Sequence, residues 1–182
     1  MKVTASLTPL VVLVLAGCAH PVVDTSKGEG EGGGVVTGVV VSVADGDTVT
    51  VEADGRRERV RLLGIDAPEL GHESGASKSA VPAECGAQSA RAALVETVMG
   101  QVVRVSSDDP HVASRDRFGR LLGYVETATG DVGERQVRSG WAEAWAPLTA
   151  DRPGRMARYE DAQRQARAER AGAWRTCTKV GR

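Results

Sequence analysis

The strongest constraint on the fold lies between residues 35 and 63, where three strand-like runs follow one another with only short aspartate–glycine turns between them. Residues 35–43 are rich in valine, and β-branched side chains suit a pleated surface. Asp45-Gly46 is a turn pair. Thr48-Val49-Thr50-Val51-Glu52 then alternates, and Asp54-Gly55 makes a second tight turn. Residues 57–63 set Arg57, Arg59 and Arg61 against Glu58, Val60 and Leu62. The spacing predicts a three-stranded meander.

Further along, residues 71–83 are small, polar and proline-containing, which predicts a mobile loop. Ala90, Leu94 and Val98 recur at helical spacing, so residues 88–99 read as a helix that Gly100 stops. Residues 101–106 and 121–126 supply a fourth and a fifth strand. Asp131-Val132-Gly133-Glu134 has capping-box spacing, with aspartate in the serine or threonine place, and opens a short helix ending at Gly140. Residues 155–170 are rich in alanine, arginine, glutamine and glutamate, all good helix formers, and Gly172 closes this third helix. The pattern predicts an α+β fold, a five-stranded Greek-key OB barrel with three packed helices. Barrels of this kind host many activities, so function has to be read from the site.

The ends of the chain carry separate signals. Lys2 and an apolar run over residues 7–16 form an export segment too short to span a bilayer, which takes about 20 residues. The run closes with Leu15-Ala16-Gly17-Cys18, which looks like a bacterial lipobox with Cys18 as the acylated residue; the competing reading is a secretory signal cut near Ala19. The expected organisation is a lipoprotein signal peptide over 1–17, a flexible glycine- and glutamate-rich tether over 18–34, and one folded domain over 35–178. That places the protein in the bacterial cell envelope, outside the cytoplasm and anchored to a membrane. Cys85 and Cys177 remain, and an isolated pair in an exported chain favours a disulfide over two buried thiols. No close cysteine–histidine spacing suggests a zinc site.

The formal net charge is -1, and removing Lys2, Lys27, Asp24, Glu29 and Glu31 leaves acids and bases equal from Val35 onward. Bulk charge therefore does not drive binding to nucleic acid, and any attraction has to be local. Two acidic clusters each follow a strand: Asp45-Gly46-Asp47-Thr48, and Arg61-Leu62-Leu63-Gly64-Ile65-Asp66-Ala67-Pro68-Glu69. Two carboxylates can hold a hard cation, a third can take a proton from water, and an arginine can hold phosphate. A second arginine stands in Asp116-Arg117-Phe118-Gly119-Arg120.

These motifs, in this order, resemble the staphylococcal (thermonuclease-like) nuclease family over residues 35–174. The resemblance implies that Asp47, Asp66 and the carbonyl of Ala67 ligate Ca²⁺. It implies that Glu69 accepts a proton from the attacking water or positions that water, and that Arg61 and Arg120 hold the phosphate. Arg117 and Phe118 fall where the family contacts the nucleotide. The implied protein is a monomeric, Ca²⁺-dependent endonuclease that hydrolyses phosphodiester bonds of DNA and RNA by in-line attack of water. Replacing Arg61 or Glu69 is then expected to remove activity with little change in thermal unfolding.

Each residue also has a plainer reading. Asp45 and Asp47 could be turn residues, and Asp66 an N-cap or a turn before Pro68. Glu69 could be a solvated acid, Arg61 an exposed strand arginine like Arg57 and Arg59, Arg120 the ion-pair partner of Asp116, and Phe118 a core aromatic. The motif context favours the site. Trp141 and Trp174 read as packing residues, and His20, His72 and His111 as scattered, solvated side chains. One departure from the family stands out: Trp141-Ala142-Glu143-Ala144-Trp145-Ala146-Pro147-Leu148 lacks the tyrosines expected near Ala146 and Leu148, with Trp145 as a partial substitute. Two other functions compete, a non-catalytic OB module that binds single strands and a structural envelope lipoprotein. The first predicts a lost acid or arginine, and none is missing.

Overall fold

The computed structural model describes residues 35–73, 80–108, 115–148 and 151–181. The expected signal peptide, Cys18 and the tether, together with His20 and His111, lie outside these residues. Val36–Val43 (β1), Thr48–Ala53 (β2) and Arg56–Leu62 (β3) form the antiparallel meander. Val40, Val49, Val51, Val60 and Leu62 are all buried, because alternation puts them on one face. The β1–β2 register shifts between Val40 and Ser42, a bulge that adds the local bend a closing sheet requires.

Val102–Ser106 (β4) pairs antiparallel with β1, and Leu121–Thr127 (β5) pairs antiparallel with β4. Parallel pairing of β5 with β3, Val60↔Leu121 to Leu62↔Gly123, closes the five-stranded OB barrel. Val103, Val105, Leu121 and Val125 complete its filling. A closed ring leaves no free sheet edge here, which fixes the register of β3 and so the position of Arg61.

Three helices cover the barrel. Ala87–Val98 (α1) buries Ala87, Ala90, Leu94 and Val98, a single stripe at helical spacing. Val132–Arg138 (α2) starts at Asp131, whose carboxylate accepts the Glu134 N–H at 3.0 Å, as its capping spacing suggested. Met156–Ala168 (α3) packs on α2 through Tyr159, Ala162 and Ala166, and the Tyr159 ring meets Tyr124 edge-on at 6.3 Å. Cys85, just before α1, is joined to Cys177 in the C-terminal tail. Among the described residues, no helix is long and apolar enough to cross a membrane.

Two expectations need correction. The segment 71–83 is not all loop, since His72–Glu73 pairs antiparallel with Ala80–Val81. Gly172 does not close α3 either. The helix ends at Ala168, Arg170 takes the left-handed conformation with φ 52°, and Gly172 opens a short 3₁₀ turn. A Cβ on Gly172 would stand 2.4 Å from the Ser139 carbonyl oxygen, so this glycine is there to let the tail touch the end of α2 backbone to backbone.

Candidate active site

Both acidic motifs leave their strands at the same end of the barrel. In the β1–β2 turn, the Asp45 carboxylate accepts the Asp47 N–H at 3.0 Å, the side-chain-capped turn that aspartate favours. Gly46 then passes so close to its neighbours that a Cβ there would lie 2.6 Å from the Ala67 Cβ and 2.9 Å from the Ala90 Cβ. The Gln136 side chain, reaching from α2, donates to the Gly46 carbonyl at 2.9 Å and to the Ala90 carbonyl at 3.1 Å. The second motif turns at Gly64, and Ile65–Asp66 pairs with Glu143–Ala144, placing Asp66 opposite Glu143.

Arg61 brings the two motifs together. Its guanidinium pairs with Asp47 at 2.8 Å and Asp66 at 2.7 Å, and donates to the carbonyls of Leu62 and Ile65 at 3.2 and 2.9 Å. Asp47 is 2% exposed and Asp66 0%. The Asp47 carboxylate also accepts the Ala67 N–H at 2.8 Å and the Thr48 hydroxyl at 3.1 Å. Burial pushes the Asp47 carboxyl well above its ordinary value, against the pull of Arg61 and the Ala67 N–H, and the nearby Asp45 adds to the upward push. Arg61 is therefore not an exposed strand arginine like its neighbours. Its removal would strip the partner from two buried carboxylates, which corrects the expectation that it can be replaced with little loss of stability.

Arg120 joins this cluster through Thr48, to whose hydroxyl it donates at 3.3 Å. It also forms the ion pair with Asp116, at 2.7 Å. Burial raises the Asp116 carboxyl, but hydrogen bonds from Arg120 and from the Phe118 N–H outweigh it and leave it below its ordinary value. Phe118 is 65% exposed and is not a core aromatic. The Arg117 and Arg120 guanidiniums lie 4.7 and 5.5 Å from its ring centre, within cation–π reach. Arg61, Arg120, Arg117, Phe118 and Trp145 line a cleft of about 520 Å³ that also includes Ala146 and Pro147. Trp145 thus borders the cleft where tyrosines were expected, Leu148 is fully exposed, and Trp141 packs against the core. His72 is exposed.

Glu69 is exposed, three residues beyond Asp66. Its backbone is held from both sides by Glu84, whose carboxylate accepts the Glu69 N–H at 3.0 Å and whose N–H donates to the Glu69 carbonyl at 3.0 Å. Glu84 adjoins the cross-linked Cys85, so the disulfide anchors the segment that positions Glu69. Glu84, Thr48 and Gln136 are functional supports that sequence reasoning missed. Thr48 was within reach as part of the Asp45-Gly46-Asp47-Thr48 motif, whereas Glu84 and Gln136 act over distances that carry no local signal.

Two buried carboxylates, both paired among the described residues with the same guanidinium, make a centre that can accept more positive charge. Together with the Ala67 carbonyl that the family resemblance adds, they could hold a hard cation such as Ca²⁺, which takes oxygen ligands. Among the described residues, no cluster of three or more acidic, histidine or cysteine ligands exists.

A closed OB barrel with a buried acid–arginine cluster beside an arginine-lined cleft defines a class of phosphate-handling enzyme. The staphylococcal nuclease homologue family matches residues 59–176 of this chain. A thermonuclease of Staphylococcus hyicus is 30% identical over 137 residues, covering 74% of this chain and 73% of its own length. A micrococcal nuclease of Shigella flexneri is 31% identical over 146 residues (75% and 72%), and an uncharacterized endonuclease of Escherichia coli is 30% identical over 140 residues (76% and 77%). The chain belongs to the staphylococcal nuclease family and is a phosphodiester-hydrolysing endonuclease.

Proposed function

We propose that this nuclease is Ca²⁺-dependent, cleaves DNA and RNA, and works as a monomer outside the cytoplasm, held to a membrane of the cell envelope by a lipid on Cys18. The observation that carries the catalytic part is the sharing of Arg61 by Asp47 and Asp66 beside the arginine-lined cleft. Asp47, Asp66 and the Ala67 carbonyl would hold Ca²⁺. Bound there, the ion would supply positive charge against the phosphoryl oxygens. Arg61 and Arg120, both on the cleft wall, hold the phosphate by N–H donors and stabilise charge on pentacoordinate phosphorus. Glu69 takes the proton of the attacking water as the new P–O bond forms and the bond to the leaving oxygen breaks. Phe118 and Trp145 offer apolar surface for the nucleotide.

The Cys85–Cys177 bond supports a location outside the reducing cytoplasm, and Leu15-Ala16-Gly17-Cys18 supports the anchor. The deciding experiment measures hydrolysis of DNA and RNA by the purified protein with Ca²⁺ and with EDTA. Cleavage of both in Ca²⁺ that stops in EDTA is expected, while undiminished cleavage in EDTA would overturn the metal assignment. Metabolic labelling with a fatty acid should mark wild-type protein and not Cys18→Ala.

A further inference from the structure

We propose that Arg59 is a second phosphate-binding residue, holding the phosphodiester next to the one being cleaved, so that the outer face of β2 and β3 is a track for a single nucleic-acid strand. The inference rests on the nuclease reading above. It starts from register. Thr48 faces Arg61, Thr50 faces Arg59 and Glu52 faces Arg57 across the β2–β3 pair. Alternate residues of a strand share a face, so these six side chains lie on one side of the sheet. On the other flank of β3, the parallel register Val60↔Leu121 sets Arg120 beside Arg59 one residue earlier. Arg59 is thus bracketed by Thr50 and Arg120, with Arg61 two residues along β3. Two residues of strand span about 7 Å, comparable with the separation of successive phosphates on an extended strand.

Among the three arginines of this outer face, charge compensation then singles out Arg59, since Arg61 is paired with Asp47 and Asp66. Arg57 is paired with Glu52 at 2.9 Å, Arg115 with Glu58 at 2.9 Å, Arg104 with Glu126 at 3.3 Å and Arg120 with Asp116 at 2.7 Å. The Arg59 side chain is exposed and, among the described residues, its guanidinium has no hydrogen-bond or ion-pair partner. In a chain whose acids and bases balance, an unanswered guanidinium beside Arg61 and Arg120 of the cleft is a local attraction that bulk charge does not provide. The ligand it fits is a phosphodiester backbone, read without regard to base.

The test compares the full chain with Arg59→Ala, Arg59→Lys and Arg57→Ala. Rates are measured in Ca²⁺ on long single-stranded DNA and on a thymidine p-nitrophenyl phosphodiester, which has one phosphate. Strand binding is followed by fluorescence anisotropy across a salt series. For Arg59→Ala we expect a severalfold rise in KM on the long strand, a smaller loss on the one-phosphate substrate, and a salt slope shallower by about 0.7, the value for one single-strand contact. Arg59→Lys should recover most of the binding, and Arg57→Ala, which removes a guanidinium already paired with Glu52, should shift the salt slope less than Arg59→Ala does. Equal losses on the two substrates, or an unchanged salt slope, would overturn the proposal. If the wild type binds the strand but cleaves neither substrate, the nuclease reading falls and the salt slope still decides Arg59. If it does not bind at all, both fall.

Discussion

Among the described residues, two buried aspartate centres stand apart, and their charge is answered differently. Asp131, at the head of α2, accepts the Glu134 N–H, takes the Tyr159 hydroxyl at 2.9 Å and pairs with Arg155 at 2.7 Å. Arg155 also meets Glu126 at 2.9 Å, and Glu126 meets Arg104 at 3.3 Å, so two acids and two guanidiniums form one balanced chain. At the other centre Asp47 and Asp66 share Arg61, and Asp47 resists ionisation because it is buried. A balanced cluster can be a strut and nothing more. A cluster in which acids share a cation has room for a further positive charge, and that room is what a metal-assisted site needs.

The largest break in the comparison should come from Arg61→Gln. We expect a loss of about 100- to 1000-fold in kcat from the missing phosphate donor, together with about 3–5 kcal/mol of stability, because two buried carboxylates lose their partner. Steady-state rates and denaturant unfolding read the two effects. Glu69→Gln should lose activity alone, since that side chain is exposed. Next, Asp131→Ala should cost about 3 kcal/mol by taking the buried partner from Arg155 and from the Tyr159 hydroxyl and uncapping α2, with kcat per folded molecule kept; a loss of activity beyond the unfolded fraction would dissolve the distinction between strut and site. Third, Ca²⁺ at a hundredfold excess over its Kd should stabilise the wild type by about 2.7 kcal/mol. Asp66→Asn should abolish that gain and Asp131→Asn should not, as thermal scans would show.

The smallest effect concerns pH. Burial, then repulsion from Asp66, pushes the Glu143 carboxyl up to about 7. The folded protein therefore holds this proton more tightly than the unfolded chain does. The stability it contributes is complete below the ordinary value of 4.5 and is lost as pH rises through about 7. Glu143→Gln should flatten the fall in unfolding free energy over that window. So should Ca²⁺ beside Asp66, whereas an equally steep fall with Ca²⁺ would place the ion elsewhere.

How much of this was legible in the sequence depends on how far each interaction reaches. The meander, its two turns and the Asp131 cap follow from period-two alternation and local turn chemistry, so they could be read residue by residue. Arg61 shows the limit. Alternation groups it with exposed Arg57 and Arg59, and only the return of Asp47 and Asp66 to the same barrel end buries it. The Gln136 bond to the Gly46 carbonyl and the Glu84 grip on Glu69 span parts of the chain with no shared local pattern. Gly172 misled because a glycine after a helical run usually caps it, and here close backbone packing used it first. Phe118 could have faced the core or the solvent until the barrel closed around other residues.

The bond between Cys85 and Cys177 has a consequence for how the chain would survive proteolysis. The ring it closes contains Arg120 and both later helices, while Asp47, Arg61, Asp66 and Glu69 lie on the stem before it. A single nick anywhere inside the ring cannot release a fragment: both pieces stay covalently attached, and even a nick between Cys85 and Arg120 leaves Arg120 tied to the piece bearing the acids.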